Sequence, residues 1–372
     1  MKKEIRVGSI GAGQVFQRFS QGVEEANLIY GTNLVIKALA DVKFPETPSI
    51  IERFIIDSKW AENPDPDKLP PEMESFLQQI DALYIASPNN LHSGYIRCAL
   101  SNNKYTLCTK PLTESYLTSK ELAKRLYKDY PNISFGPEQK GKALFMYEDH
   151  YLYYDVSVTL FGAQKELEKL VYNLGEPVSV EAAFIEKAGL SRTEPDRIKW
   201  LLNPAVSGGG VWIDTGIHLI RLMHQLGSEI DILEAIAELA PGMKAEKKMV
   251  VSARLNVKGN ETKNPLIHWN NTPCRLYVEK DAEISRKEIN IYFKQGMLTL
   301  NFGEGKIVRE EHGQVSTMNI PSNPYLNVAR VFYNLITEIE DGRLAGLSDA
   351  VEDMKVIEKV YDKAGLLYRV GE

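Results

Sequence analysis

Two short stretches hold residue types able to move a proton and to steady a reacting oxygen. The first is Tyr105-Thr106-Leu107-Cys108-Thr109-Lys110-Pro111. It reads as a buried strand ending in a lysine, and the proline steers Lys110 away from helical geometry. A cation held at a strand end can hydrogen-bond an oxygen and favour negative charge developing on it. The second is Ser207-Gly208-Gly209-Gly210-Val211-Trp212-Ile213-Asp214-Thr215-Gly216-Ile217-His218. Its glycines admit close backbone approach to a ligand. A helix is expected to follow, and Asp214 and His218, four apart, would then share a face. A histidine there suits a general base, because its ordinary pKa lies near working pH. The alternative is a histidine satisfied by its i−4 aspartate, with neither doing chemistry.

A base and a cation need an electron acceptor if the reaction is an oxidation, and the N-terminal segment is built to hold one. A short apolar strand over 5–10 runs into Gly11-Ala12-Gly13-Gln14-Val15-Phe16 and then a helix-compatible run. Gly11 permits a tight strand-to-helix turn, and Gly13 lets the backbone approach a pyrophosphate at the helix N-terminus. The third position of the G-x-G-x-x-G pattern is Phe16. A second apolar strand ends in Asp41, where an acid would take the adenosine ribose hydroxyls and repel a 2'-phosphate. This favours NAD, with NADP possible, since Lys43 is close by. A polar loop, Ser87-Pro88-Asn89-Asn90-Leu91-His92, follows the next buried strand, at the strand end where such sheets bind ligands.

The elements that must position these residues fall into two patterns. The first half alternates strands and helices. Strands are expected over 34–41, 82–86 and 105–109, and helices over 47–60, 72–79 and 93–100. Another helix is expected over 114–127, capped by Thr113. This is a parallel, doubly wound sheet. Beyond a polar loop come a strand over 143–147, the cluster Glu148-Asp149-His150-Tyr151, and an amphipathic helix over 156–174. Then come strands over 178–187, 235–239, 249–257, 275–279, 284–294 and 297–302, the ingredients of a large, mainly antiparallel, open-faced sheet. Amphipathic helices over 323–341 and 349–364 close the chain and are expected to pack back on the first domain. The division expected is a dinucleotide-binding domain over 1–142 and a substrate-binding α/β domain over 143–372.

A chain of 372 residues favours two domains. Its hydrophobic content of 44%, charged content of 25% and net charge of −6 fit an ordinary soluble protein and give no reason to expect nucleic acid or an anionic membrane surface. Cys98, Cys108 and Cys274 form no disulfide framework and no metal-type spacing. No metal is expected, and a reducing cytoplasm fits best. An open-faced sheet suits a homodimer or homotetramer.

Taken in order, the Gly8–Gly13 turn, Asp41, Ala86-Ser87-Pro88-Asn89-x-x-His92, Lys110-Pro111 and Gly208-Gly209-x-x-x-x-Asp214-x-x-x-His218 resemble the glucose–fructose oxidoreductase / inositol dehydrogenase family over nearly the whole chain. The resemblance implies a Rossmann domain with an α/β substrate domain, and NAD(P)-dependent oxidation of sugars, inositols and related polyols. It implies Lys110 as the catalytic lysine, His218 as the acid/base histidine and Asp214 as its accompanying acid. Gly11, Gly13, Gln14, Val15, Phe16, Asp41, Ser87, Asn89, His92, Thr109 and Lys110 would line the cofactor. The family's usual glutamate before the lysine is Thr109 here. Asp149-His150-Tyr151-Leu152 is similar to a motif of glucose-6-phosphate dehydrogenase, which would make Asp149 a second candidate to orient His218. It would also put His150 and Tyr151 on the substrate with Lys110, Asp214 and His218. Arg192, Asp196, Arg197 and Trp200 precede the glycine loop and suit a sugar pocket, the alternative being a surface loop of the same composition. An NAD-dependent glycoside hydrolase and a non-catalytic NAD-sensing protein are the competing readings.

Overall fold

The computed structural model describes residues 2–42, 51–130, 145–148, 170–187, 200–258, 267–319, 324–337 and 346–366. The chain divides into two compact units: Met1–His150 with Asn323–Val351, and Tyr151–Ser322 with Glu352–Glu372.

The first unit is built on six parallel strands: β1 (Ile5–Ile10), β2 (Leu34–Asp41), β3 (Glu52–Ile55), β4 (Ala82–Ile85), β5 (Tyr105–Thr109) and β6 (Phe145–Glu148), in the order β3-β2-β1-β4-β5-β6. Its helices are α1 (Gln14–Tyr30), α2 (Ser58–Ala61), α3 (Pro71–Gln79), α4 (His92–Ser101) and α5 (Tyr116–Asp129). The strand order reverses between β1 and β4, which marks the crevice where doubly wound sheets bind ligands. β1, β4 and β5 are almost wholly buried because they are covered on both faces. The stacked rings of Phe19 on α1 and Tyr84 on β4, 4.0 Å between centroids, fasten helix to sheet.

Three expectations change in this unit. The helix expected over 47–60 is instead β3 followed by the short α2. Ile51-Glu52-Arg53-Phe54-Ile55-Ile56 is β-branched and aromatic, and β2 offers it a free edge to pair with. The cap of α5 is Ser115, whose hydroxyl accepts from the Thr118 amide at 3.1 Å, while Thr113 donates its hydroxyl to the Ser115 carbonyl. The helix therefore starts two residues later than expected. β6 pairs with β5 in parallel, so the first sheet runs past residue 142.

The second unit carries eight strands: β7 (Pro177–Lys187), β8 (Ser228–Leu239), β9 (Glu246–Val257), β10 (Thr272–Ala282), β11 (Arg286–Phe293), β12 (Gly296–Asn301), β13 (Lys306–Glu311) and β14 (Gln314–Asn319). Their order is β14-β13-β12-β11-β7-β10-β9-β8. Only the β7–β10 pair is parallel. On β10 the side chains alternate between buried and exposed, as a sheet covered on one face requires. β14 escapes the sequence pattern because it is the sheet's outermost strand, and β13 next to it buries only one residue fully. β14 is almost wholly exposed and is held by its backbone ladder. Among the described residues the unit's helices include α6 (Pro204–Ser207), α7 (Ile217–Gln225) and the later part of α9 (Leu347–Lys363). α8 (Pro324–Ile336) belongs to the first unit, where Tyr333 donates its hydroxyl to the Lys3 carbonyl at 3.1 Å.

Among the described residues no helix is long and apolar enough to cross a membrane. No group of His, Cys, Asp and Glu there has the make-up of a metal site.

Candidate active site

In the first unit the candidate residues gather at the carboxyl ends of β1, β2, β4 and β5. Gly11 takes φ +95°, and a side chain there would strike the Ala86 carbonyl oxygen at 2.4 Å, so only glycine fits this turn. Gly13 is different. It is the N-cap of α1, and an added Cβ would meet nothing within 4 Å. No side chain caps the helix, and no acidic residue occupies its first turn. A 17-residue helix thus starts with no side-chain cap and no acid in its first turn, and its positive end favours an anion. Gln14 is exposed and Val15 half-buried beside it, while Phe16 is tucked into the interior.

Asp41 reaches back to this turn. Its carboxylate accepts from the Ala12 amide at 2.8 Å and from the Val42 amide at 2.7 Å. The acid expected to hold a ribose also orders the glycine turn. Residue 43 lies outside the described residues, as do Asp149, His150, Tyr151, Arg192, Asp196 and Arg197.

Asn89 opens a short 3-10 turn and is buried, and the Ser87 hydroxyl is buried without a hydrogen-bond partner. His92 is fully buried. Its two ring nitrogens lie 2.9 Å from the carbonyl oxygens of Ser87 and Pro111. Burial pushes its pKa down, against the opposing pull of those carbonyls. His92 thus ties the loop after β4 to the turn after β5, with no ring nitrogen left over. Thr109 and Lys110 are both buried at that turn, and the Lys110–Pro111 peptide is cis.

An uncapped helix N-terminus, open space at Gly13, an orphaned Ser87 hydroxyl and an acid at the end of β2 together fit a dinucleotide. Gly11, Gly13 and Gln14 would take the pyrophosphate, and Asp41 the ribose.

In the second unit, residues 212–216 form one wide π turn that leads into α7. The glycines before it pack against protein. A Cβ on Gly209 would lie 2.0 Å from the Tyr361 hydroxyl, and one on Gly210 2.2 Å from the Glu246 carbonyl oxygen. The close approach they were expected to offer a ligand is filled by Glu246 and Tyr361. The Glu246 carboxylate accepts from the amides of Gly210 (3.2 Å) and Trp212 (2.8 Å) and from the Tyr361 hydroxyl (2.9 Å). Tyr361 in turn accepts from the Ile213 amide at 3.1 Å. Neither residue stands out in the sequence, being 36 and 148 positions from its partner amides.

Further along, Arg221 and His224 both bind Asp353 of α9. Arg221 donates at 2.8 and 2.5 Å, and His224 Nδ1 lies 2.8 Å from the same carboxylate. This buried cluster pins α7, and with it His218. The His218 ring is 1% exposed and stacks on Phe184 of β7, centroids 5.7 Å apart. The Asp214 carboxylate, expected to orient His218, pairs with the buried Lys280 ammonium of β10. Trp200 packs against Leu201, Leu202, Ala240 and Ala245, and its indole N–H is buried with no partner among the described residues.

Comparison with known proteins agrees with this layout. Residues 5–131 match the model of an oxidoreductase family with an NAD-binding Rossmann fold, and residues 172–298 match the GFO/IDH/MocA C-terminal domain. The uncharacterized oxidoreductase YrbE of Bacillus subtilis (strain 168) is 22% identical over 233 residues, 62% of this chain and 56% of that protein. A D-xylose 1-dehydrogenase (NADP(+)) from Haloarcula marismortui is 28% identical over 138 residues, 37% of this chain and 33% of that one. The matches thus span little more than half of one curated relative and a third of the other. Levoglucosan dehydrogenase, in complex with NADH and levoglucosan, superposes with a TM-score of 0.70 at 16% identity, covering 98% of this chain and 97% of its own.

Proposed function

The chain belongs to the GFO/IDH/MocA oxidoreductase family, with an NAD(P)-binding Rossmann domain, and on that premise we propose that it is a sugar or polyol dehydrogenase. It oxidises a secondary hydroxyl, with His218 as the base and Lys110 orienting the reacting oxygen. The bound nicotinamide cofactor supplies the hydride acceptor. His218 accepts the hydroxyl proton while Lys110 hydrogen-bonds the same oxygen and favours its developing negative charge. Asp41 favours NAD over NADP by repelling a 2'-phosphate. What supports the reading is that each unit holds a buried group able to do chemistry: Lys110 at the end of β5 in the first, and His218 in the second, on a helix fastened by Glu246, Tyr361 and Asp353.

Substrates are free sugars, inositols or sugar phosphates. The names of the similar proteins, which include a D-xylose dehydrogenase and a levoglucosan dehydrogenase, support this class. Exposed Ile236 and Leu239 on β8 support self-association as a dimer or tetramer.

The test is a screen for NAD(P) reduction over sugars, sugar phosphates and inositols. Reduction on one sugar class is expected. Cleavage of a nitrophenyl glycoside without net NADH would identify an NAD-dependent glycosidase instead. Cofactor binding with no turnover would identify a sensor.

A further inference from the structure

Neighbouring strands of the second sheet carry charge where their pattern calls for apolar side chains. On β7, Val180, Ala182 and Phe184 are buried in phase, and Glu186 comes next. On β10, Cys274, Leu276 and Val278 are buried in phase, and the next residue is Lys280, itself buried. Lys280 lies directly across from Glu186 in the parallel β7–β10 register. Lys287 of β11 lies directly across from Phe184 in the antiparallel register. All four side chains therefore share one face.

One of the four touches His218, and the others are linked to it or to the turn before it. Phe184 stacks on its ring. Lys287 stands 4.7 Å from the Phe184 ring centroid and donates to Glu186 at 2.7 Å. Lys280 binds Asp214, four residues before His218. Burial pushes the Glu186 carboxyl up, but Lys280 and Lys287 outweigh it and hold it below the usual carboxylate range. Among the described residues, the charged groups this face brings toward the turn before His218 include Asp214 on that turn, Glu186 on β7, Lys280 on β10 and Lys287 on β11. The Arg221–His224–Asp353 cluster lies farther along α7.

A lysine in a core position is costly to desolvate, and an aliphatic residue would pack there as well. We infer that Lys280 is a positioning residue for the proposed base: it holds the Asp214 carboxylate and, by neutralising it, sets the proton affinity of His218. Without Lys280, Asp214 would present an uncompensated negative charge within a turn of the imidazole. That charge would stabilise the imidazolium and make His218 a base already protonated at neutral pH. This inference rests on the reading of His218 as the base.

The test is the titration of His218 followed by NMR in histidine-labelled protein, its signal assigned by its loss in His218→Asn. In Lys280→Met the midpoint should rise by about one pH unit or more. In Lys280→Arg, which keeps the charge, it should stay within about 0.3 unit of wild type. In Asp214→Asn, which leaves Lys280 unneutralised, it should fall. A midpoint that stays put or falls in Lys280→Met overturns the inference. If Lys280→Met does not fold, a midpoint that fails to fall in Asp214→Asn overturns it equally. The titration needs no turnover. Absence of sugar oxidation would therefore sink the proposed function, while the role of Lys280 would still be decided by the midpoints. If turnover is found, the acid limb of kcat/KM should move with the His218 midpoint, which a merely structural lysine would not cause.

Discussion

A side chain added at Gly13 would meet nothing within 4 Å, whereas one added at Gly210 would lie 2.2 Å from a backbone oxygen of Glu246. Both glycines precede a helical turn, and both sit in runs that read alike as ligand loops. At Gly13 the space beyond the backbone is open, and the amides of α1 have no side-chain cap. At Gly209 and Gly210 the space is filled by Tyr361 and Glu246, whose oxygens take the loop's own amides. The first turn leaves room at Gly13 and no side-chain cap on the helix. The second uses its capacity internally to fix the start of the helix that bears His218. Glycine content alone does not separate the two roles; what a Cβ would meet does.

The sharpest contrast comes from removing the proposed reacting groups. Lys110→Ala and His218→Ala should each lower kcat by about 10²–10⁴-fold while NADH affinity stays nearly unchanged, because the Gly11–Gly13 turn is untouched. Near-native turnover in either variant would remove that residue from the chemistry. Next in size is Gly210→Ala. The new methyl meets backbone and carboxylate atoms of Glu246, so the loop must shift and its buried hydrogen bonds break. A loss of about 3 kcal/mol or more is expected by urea denaturation. A loss below about 1 kcal/mol would mean that this turn is as open as the one at Gly13.

The smallest effect concerns pH and His92 in the first unit. Burial holds its folded-state pKa below the unfolded value, so the folded protein binds fewer protons over that interval. Stability should be level above about pH 6.5 and decline as pH falls below it. Urea denaturation at pH 7.5 and 5.5 should show this decline in wild type and a shallower one in His92→Asn. An equal decline in both would assign the pH dependence to other groups.

Much of the first unit was legible because a strand–glycine turn–helix with an acid closing the next strand states its geometry locally. Lys110 at a strand end and His218 on a helix after a glycine run were legible for the same reason. β3 was not, because Ile51 to Ile56 carries helix-compatible periodicity and becomes a strand only when the edge of β2 is there to pair with. β14 was hidden because an edge strand needs no apolar face, and β13 beside it buries only one residue fully. Glu246 and Tyr361 were out of reach, since partners 36 and 148 residues away leave no local trace. Lys280 had a trace that can be read: a lysine in phase with Cys274, Leu276 and Val278, at a position that should be apolar.

Whether the open glycine turn holds a dinucleotide is tested most directly by fluorescence titration with NADH and NADPH in wild type and Gly13→Ala. Saturable binding with NADH tighter than NADPH is expected. Gly13→Ala should weaken NADH by about tenfold or more, as a methyl fills the space a pyrophosphate would use. No binding of either nucleotide to the wild-type protein, or equal NADH affinity in the variant, would contradict the account.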